Sequence, residues 1–161
     1  MAVTVEVKGG EKYKRFLDAV SRIAGSVRAG IPANATHKSE DGSTQSIAAY
    51  AIYNEFGTSR IPARPFMRQT AESNTKKWIA SMVGYIKSRN PAEPQTWKNA
   101  LGAVGELMAK DIIAEIEKGS FAPNAPATVA AKKRKGKTDP AHPLIDTGDM
   151  QHAVISEVLS K

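Results

Sequence analysis

Residues 46–67 read Ser46-Ile-Ala-Ala-Tyr-Ala-Ile-Tyr-Asn-Glu-Phe-Gly-Thr-Ser-Arg-Ile-Pro-Ala-Arg-Pro-Phe-Met67. Ile47, Tyr50, Ala51 and Asn54 fall at i, i+3, i+4 and i+7, the stripe of a short helix that buries one face. Ser46 can cap its first turn, and Gly57 can take the left-handed conformation that ends it. The chain then runs extended, because residues before Pro62 and Pro65 are steered away from helix. Pro65 suits the first position of a second helix. The segment therefore reads as helix, tight stop, stiff arm and helix. Arg60, Ile61, Pro62, Arg64 and Arg68 lie on or beside that arm and are the interface candidates. Arginine can bridge carboxylates bidentately where lysine cannot. The competing account pairs these arginines inside the chain, for example with Glu55 or with Glu72, four residues after Arg68. Phe56 and Phe66 bracket the arm as core anchors.

Outward from this segment the pattern is mixed. Val3, Val5 and Val7 alternate with polar residues as in a strand with one buried face, and Gly9-Gly10 breaks it. Tyr13, Phe16, Leu17, Val20 and Ile23 recur at helical spacing. Val27, Ala29 and Ile31 form a second strand that Pro32 ends or confines to an edge. His37 to Gln45 is polar with an Asp-Gly step, a mobile loop or hairpin tip. A helix from about Pro65 to Ser88 follows, with Phe66, Thr70, Trp78, Met82 and Ile86 on its buried side. After the break at Asn90–Pro94, Trp97, Leu101, Val104, Met108, Ile112 and Ile116 give a third long helix. Gly102 and Gly105 weaken it unless close packing explains them. Phe121 to Pro143 turns to Pro, Ala, Lys and Gly, a long mobile loop. Ala153 to Leu159 is strand-like again. The expectation is one α+β domain over residues 1–161, a small, mainly antiparallel sheet packed against three to four helices with long flexible loops.

The composition excludes several classes. The chain has 161 residues, no cysteine and a net charge of +7, so disulfides and thiolate metal sites are out. No leader-like start and no apolar run of about 20 residues is present, and no membrane role is expected. Leu144-Ile-Asp146-Thr-Gly148 has the pattern of an aspartic-protease loop, but only 13 residues follow Gly148. The structural account is a turn in which Asp146 or Thr147 caps a short helix. His37, His142 and His152 lack the spacing of a zinc pair and read as lone surface histidines. No phosphate-binding glycine loop appears. We therefore expect no enzyme, no cofactor and no metal. Lys132, Lys133, Arg134, Lys135 and Lys137 form a basic run suited to phosphates or to an acidic protein surface, though no aromatic is interleaved for base stacking.

The motif NEFGTSRIPARPFMR (residues 54–68) resembles the signature of the tail-completion proteins of long-tailed phages, a family that includes minor tail protein Z, virion morphogenesis and neck proteins. A second block, Pro123-Asn124-Ala-Pro-Ala-Thr128 followed by a basic stretch and Pro143-Leu-Ile-Asp-Thr-Gly-Asp-Met150, is similar to that family's element near the C-terminus. Together they span about Val27 to Val158. Asn54 departs from the pattern, since many relatives carry His there. The resemblance implies a structural virion protein of the neck, made in the host cytoplasm, that completes the tail and joins it to the head. It implies a homo-oligomeric ring, usually a hexamer. The implied partners are the tail tube or its terminator and the head-side connector or stopper, with DNA passing the opening. The alternative from composition alone is a basic nucleic-acid-binding module.

Overall fold

The computed structural model describes residues 10–22, 25–39 and 42–160. The Val3–Val7 alternation and Ile23 lie outside these residues. In chain order the elements are α1 (Gly10–Arg22), β1 (Gly25–Gly30), β2 (Thr36–Lys38), β3 (Thr44–Ser46), α2 (Ile47–Phe56), α3 (Phe66–Lys87), α4 (Pro94–Lys118), α5 (Pro126–Arg134), α6 (Asp149–His152) and β4 (Ile155–Ser160). This is an α+β fold, with two small antiparallel sheets packed against helices of which α3 and α4 are the long ones.

The helical stripes of α3 and α4 set the frame. Phe66, Thr70 and Trp78 are buried on α3; Ala100, Leu101, Val104, Ile112 and Ile116 are buried on α4. Met82 and Ile86 are only half-buried. Polar clasps tie the pair at the edge of this seam. The Trp78 indole N–H donates to Asp111 Oδ2 at 2.7 Å, and Lys77 Nζ holds both oxygens of the same carboxylate at 2.6 and 2.8 Å. The indole thus enters the core with its one donor satisfied.

β1 pairs with β4 from Gly25↔Ser160 to Gly30↔Ile155, and this ribbon lies on α4. Ile31 and Pro32 follow as the chain leaves the ribbon. Gly105 explains how the ribbon approaches so closely. A Cβ there would stand 2.7 Å from Val27 Cγ2 and 3.0 Å from Ser156 Cβ, whereas one on Gly102 would meet nothing within 4 Å. Two glycines that look alike in the sequence therefore differ in role. We expect Gly105→Ala to cost about 1–3 kcal/mol by overpacking, and Gly102→Ala to add about 0.5–1 kcal/mol through helix propensity. Urea denaturation of the two variants checks both signs; equal shifts would show that the ribbon does not rest on Gly105.

The polar stretch after Ala35 is a hairpin, β2 against β3, in the register Thr36↔Ser46 to Lys38↔Thr44. Ser46 then caps α2, its side chain accepting from Ala49 N at 3.3 Å. Ile47, Ala51, Phe66, Ile112, Ile116, Met150 and Val154 form one apolar cluster, so α2, α3, α4, α6 and the residue leading into β4 share one core.

Three expectations need correction here. Phe121–Pro143 is not a continuous loop: it contains α5, started by Pro126 at its first position. That helix carries no apolar stripe, but Ala127, Ala130 and Ala131 favour it by propensity. Tyr13 and Leu17 lie on α1, as their spacing predicts, and stand exposed. Pro65 is the residue before α3, not its first. The residue before α6 is Gly148, with φ 85°, and neither Asp146 nor Thr147 caps its backbone; Thr147 Oγ1 donates to the Asp149 carboxylate instead.

Candidate functional site

The arm after α2 is braced from within. A Cβ on Gly57 (φ 76°) would stand 2.9 Å from Ala63 N, so the turn needs both the positive φ and the missing side chain. Thr58 Oγ1 accepts from Arg60 N and Ile61 N at 3.2 and 3.0 Å, and Thr58 N donates to the Ile61 carbonyl at 2.8 Å. The arm is a knot of local hydrogen bonds rather than a free strand.

Arg64 does not project from it. The residue is 5% exposed. Its Nη1 donates to Asn54 Oδ1 at 2.7 Å, Nε to the Ala122 carbonyl at 2.8 Å, and Nη2 to the Pro123 carbonyl at 3.1 Å and Asn124 Oδ1 at 3.4 Å. Asn54 is fixed from both ends, because its Nδ2 donates to the Tyr50 carbonyl at 2.8 Å. The expectation of an outward cation fails for a physical reason: a guanidinium can satisfy several neutral acceptors at once and can then be buried. Burial pushes its pKa below the usual arginine value, yet arginine keeps its charge.

Arg68 takes the intramolecular option with Glu55, not Glu72. Glu55 is 5% exposed, and its carboxylate accepts from Met67 N at 2.9 Å, Arg68 N at 3.1 Å and Arg68 Nε at 3.0 Å. The first turn of α3 is thus capped by a residue of the preceding helix, while Pro65 provides no side-chain cap. Phe56 is not a core anchor. It is 63% exposed, with the Arg68 guanidinium 4.8 Å over its ring. Phe66 is fully buried, as expected. Arg60 and Pro62 are exposed, and Ile61 is half-buried.

The basic run divides in the same way. Lys132, expected in a mobile loop as a contact for phosphates or an acidic surface, is 7% exposed and donates from Nζ to the carbonyls of His142 (2.9 Å) and Ile145 (2.5 Å). Burial first, with Arg64 among the lesser causes, lowers its pKa; Asp146 opposes that. Lys133, Arg134 and Lys135 are exposed at the end of α5, and Lys137 is half-buried. Nor are the histidines all lone surface groups. His37 Nδ1 lies 2.8 Å from Asp149 Oδ2, and the His142 ring faces the carbonyls of Glu117 and Pro143. Among the described residues no group of three or more potential metal ligands occurs.

The two sequence blocks, some 60 residues apart, meet at this point. Arg64 grips residues 122–124; Asn124 Nδ2 donates to the His142 carbonyl at 2.9 Å; Lys132 holds residues 142 and 145. Arg60, Ile61, Pro62, Arg64 and Lys132 line one cleft of about 280 Å³. Tyr50, Asn124 and Thr128 are also in its lining; the sequence placed Tyr50 on the buried stripe of α2, and gave no sign that Asn124 and Thr128 share a cleft with it. Burial, then the Asp149 charge, raises the Tyr50 pKa. Comparisons with protein-family models, with curated proteins and with solved structures yield no match.

Proposed function

We propose that this chain is a structural protein of a phage neck. It assembles as a ring around the DNA path and joins the tail tube or its terminator to the head-side connector or stopper, acting by assembly rather than turnover. The observation that carries this reading beyond the sequence resemblance is a pair of separate apolar faces turned to solvent. Ile52, Tyr53 and Phe56 stand exposed on α2, and Ile79 and Val83, one turn apart, stand exposed on α3. Outward apolar groups clustered on a helix mark protein contacts. Two unlike faces on one subunit suit a head-to-tail contact, which closes into a ring when the rotation permits.

The second reading, a basic nucleic-acid-binding module, draws on exposed Lys133, Arg134 and Lys135 at the end of α5. Lys132 is not part of that exposed patch, because it is buried with its ammonium on two carbonyls.

Electron microscopy of the purified protein, with light scattering for mass, is expected to find closed rings. Ile52→Lys, on an exposed side chain, is expected to release subunits at an unchanged melting temperature. A phage lacking the protein is expected to accumulate filled heads and unjoined tails. Monomers that bind DNA with steep salt dependence favour the second reading, and a phage stalled in replication or lysis overturns the first.

A further inference from the structure

The cleft between the arm and α5 holds an unbalanced charge. Three cations line it, Arg60, Arg64 and Lys132, against one carboxylate, Asp146, which leaves a surplus of two positive charges. Arg64 and Lys132 are buried, yet among the described residues no carboxylate lies within ion-pair distance of either. Every hydrogen bond they make goes to a neutral carbonyl or amide oxygen. Burying a charge is costly unless an opposite charge compensates it. Both groups also keep donors in hand: Arg64 spends four of its five N–H bonds and Lys132 two of its three. The Arg60 guanidinium is exposed at the same cleft.

We infer that this cleft is an oxyanion site filled by the carboxylate of an acidic side chain from a partner protein. The choice of carboxylate over a nucleic-acid phosphate follows from the lining. At about 280 Å³ the cleft lies just below the usual range of small-molecule sites and has room for a single side chain. Ile61, Pro62, Leu144, Ile145 and Met150 provide apolar walls for the aliphatic stem of a glutamate. A guanidinium and an ammonium at the floor supply charge-assisted donors, the strong kind. The inference does not depend on ring assembly: any acidic partner of the right shape satisfies it.

The test is an NMR titration of the full chain at fixed ionic strength, following the Arg64 Nε–H and Lys132 side-chain signals. The probes are N-acetyl-glutamic acid α-amide, its neutral glutamine counterpart and inorganic phosphate. The acid is expected to give saturable shifts of both side chains, and the neutral amide none. Arg60→Gln, at an exposed position, is expected to weaken the acid about two- to fivefold at an unchanged melting temperature; Arg60→Glu is expected to abolish saturation. Equal shifts from the neutral amide, no saturation by the acid, or an affinity unchanged by Arg60→Glu would each overturn the proposal. Saturation by phosphate at a concentration equal to or below that of the acid would assign the cleft to phosphate and overturn it as well.

Discussion

Arg64→Ala is expected to lower the stability of the chain by about 3–5 kcal/mol, the cost of leaving several buried neutral acceptors without their donor. For a chain of this size that corresponds to a melting temperature roughly 6–20 °C lower. The side chain makes four hydrogen bonds, to Asn54, Asn124 and the carbonyls of Ala122 and Pro123. Its removal leaves these acceptors facing a void, each at about 1–3 kcal/mol if water cannot reach it. It also releases the strap that leads from α4 into α5. Arg64→Lys is expected to recover only part of the loss, because a point charge cannot address acceptors spread over the plane of a guanidinium. Thermal melting and urea titration of both variants make the measurement. An Arg64→Ala protein that melts like the parent but fails to assemble would return Arg64 to an interface role and contradict its burial.

The same residue shows how far the sequence can be read. The local grammar around residues 46–67 was legible in part: the Ser46 cap, the helix stripe and the positive φ at Gly57 all depend on neighbours a few positions away, whereas the arm before Pro65 is folded into turns by Thr58 rather than extended. Long helices α3 and α4 were legible for the same reason, since each repeats its apolar period over many turns. The direction of Arg64 was not. A cation on a proline-stiffened arm projects outward unless distant carbonyls meet it, and residues 122–124 are brought there only by the path of α4. The same holds for Lys132. A run of five basic residues suggests contacts with phosphates or an acidic surface, but one of them lies inward on α5 where two carbonyls converge. Helix α5 itself has nine residues and no apolar stripe, so periodicity could not find it; Pro126 and the alanines after it were the only signals. Phe56 reversed the usual rule for aromatics because Arg68, held by Glu55, lies over its outer face.

Glu55→Ala is expected to cost about 2–4 kcal/mol, nearly as much as the loss of Arg64, although it removes a single exposed-looking acid from a polar motif. Three terms contribute. The amides of Met67 and Arg68, in the first turn of α3, have no intrahelical acceptor, and the Glu55 carboxylate takes both. Losing a cap costs about 0.5–2 kcal/mol, and hydrogen bonds to a charged acceptor are worth about 1.5–3 kcal/mol each. The carboxylate also sits at the positive end of the α3 dipole, where a negative charge is favoured. The lost pairing with Arg68 adds less, because the Arg68 side chain is half exposed and rehydrates. Glu55→Gln separates the terms: it keeps an acceptor but removes the charge, and is expected to cost about half as much. Amide exchange gives the local readout. The Met67 and Arg68 amides are expected to exchange about 10- to 100-fold faster in Glu55→Ala, one decade for each 1.4 kcal/mol, while the middle of α3 changes only as far as global stability falls. If Glu55→Ala instead costs less than about 0.5 kcal/mol, the range of an ordinary surface substitution, α2 does not cap α3 and the bracing of the arm must come from Arg64 alone.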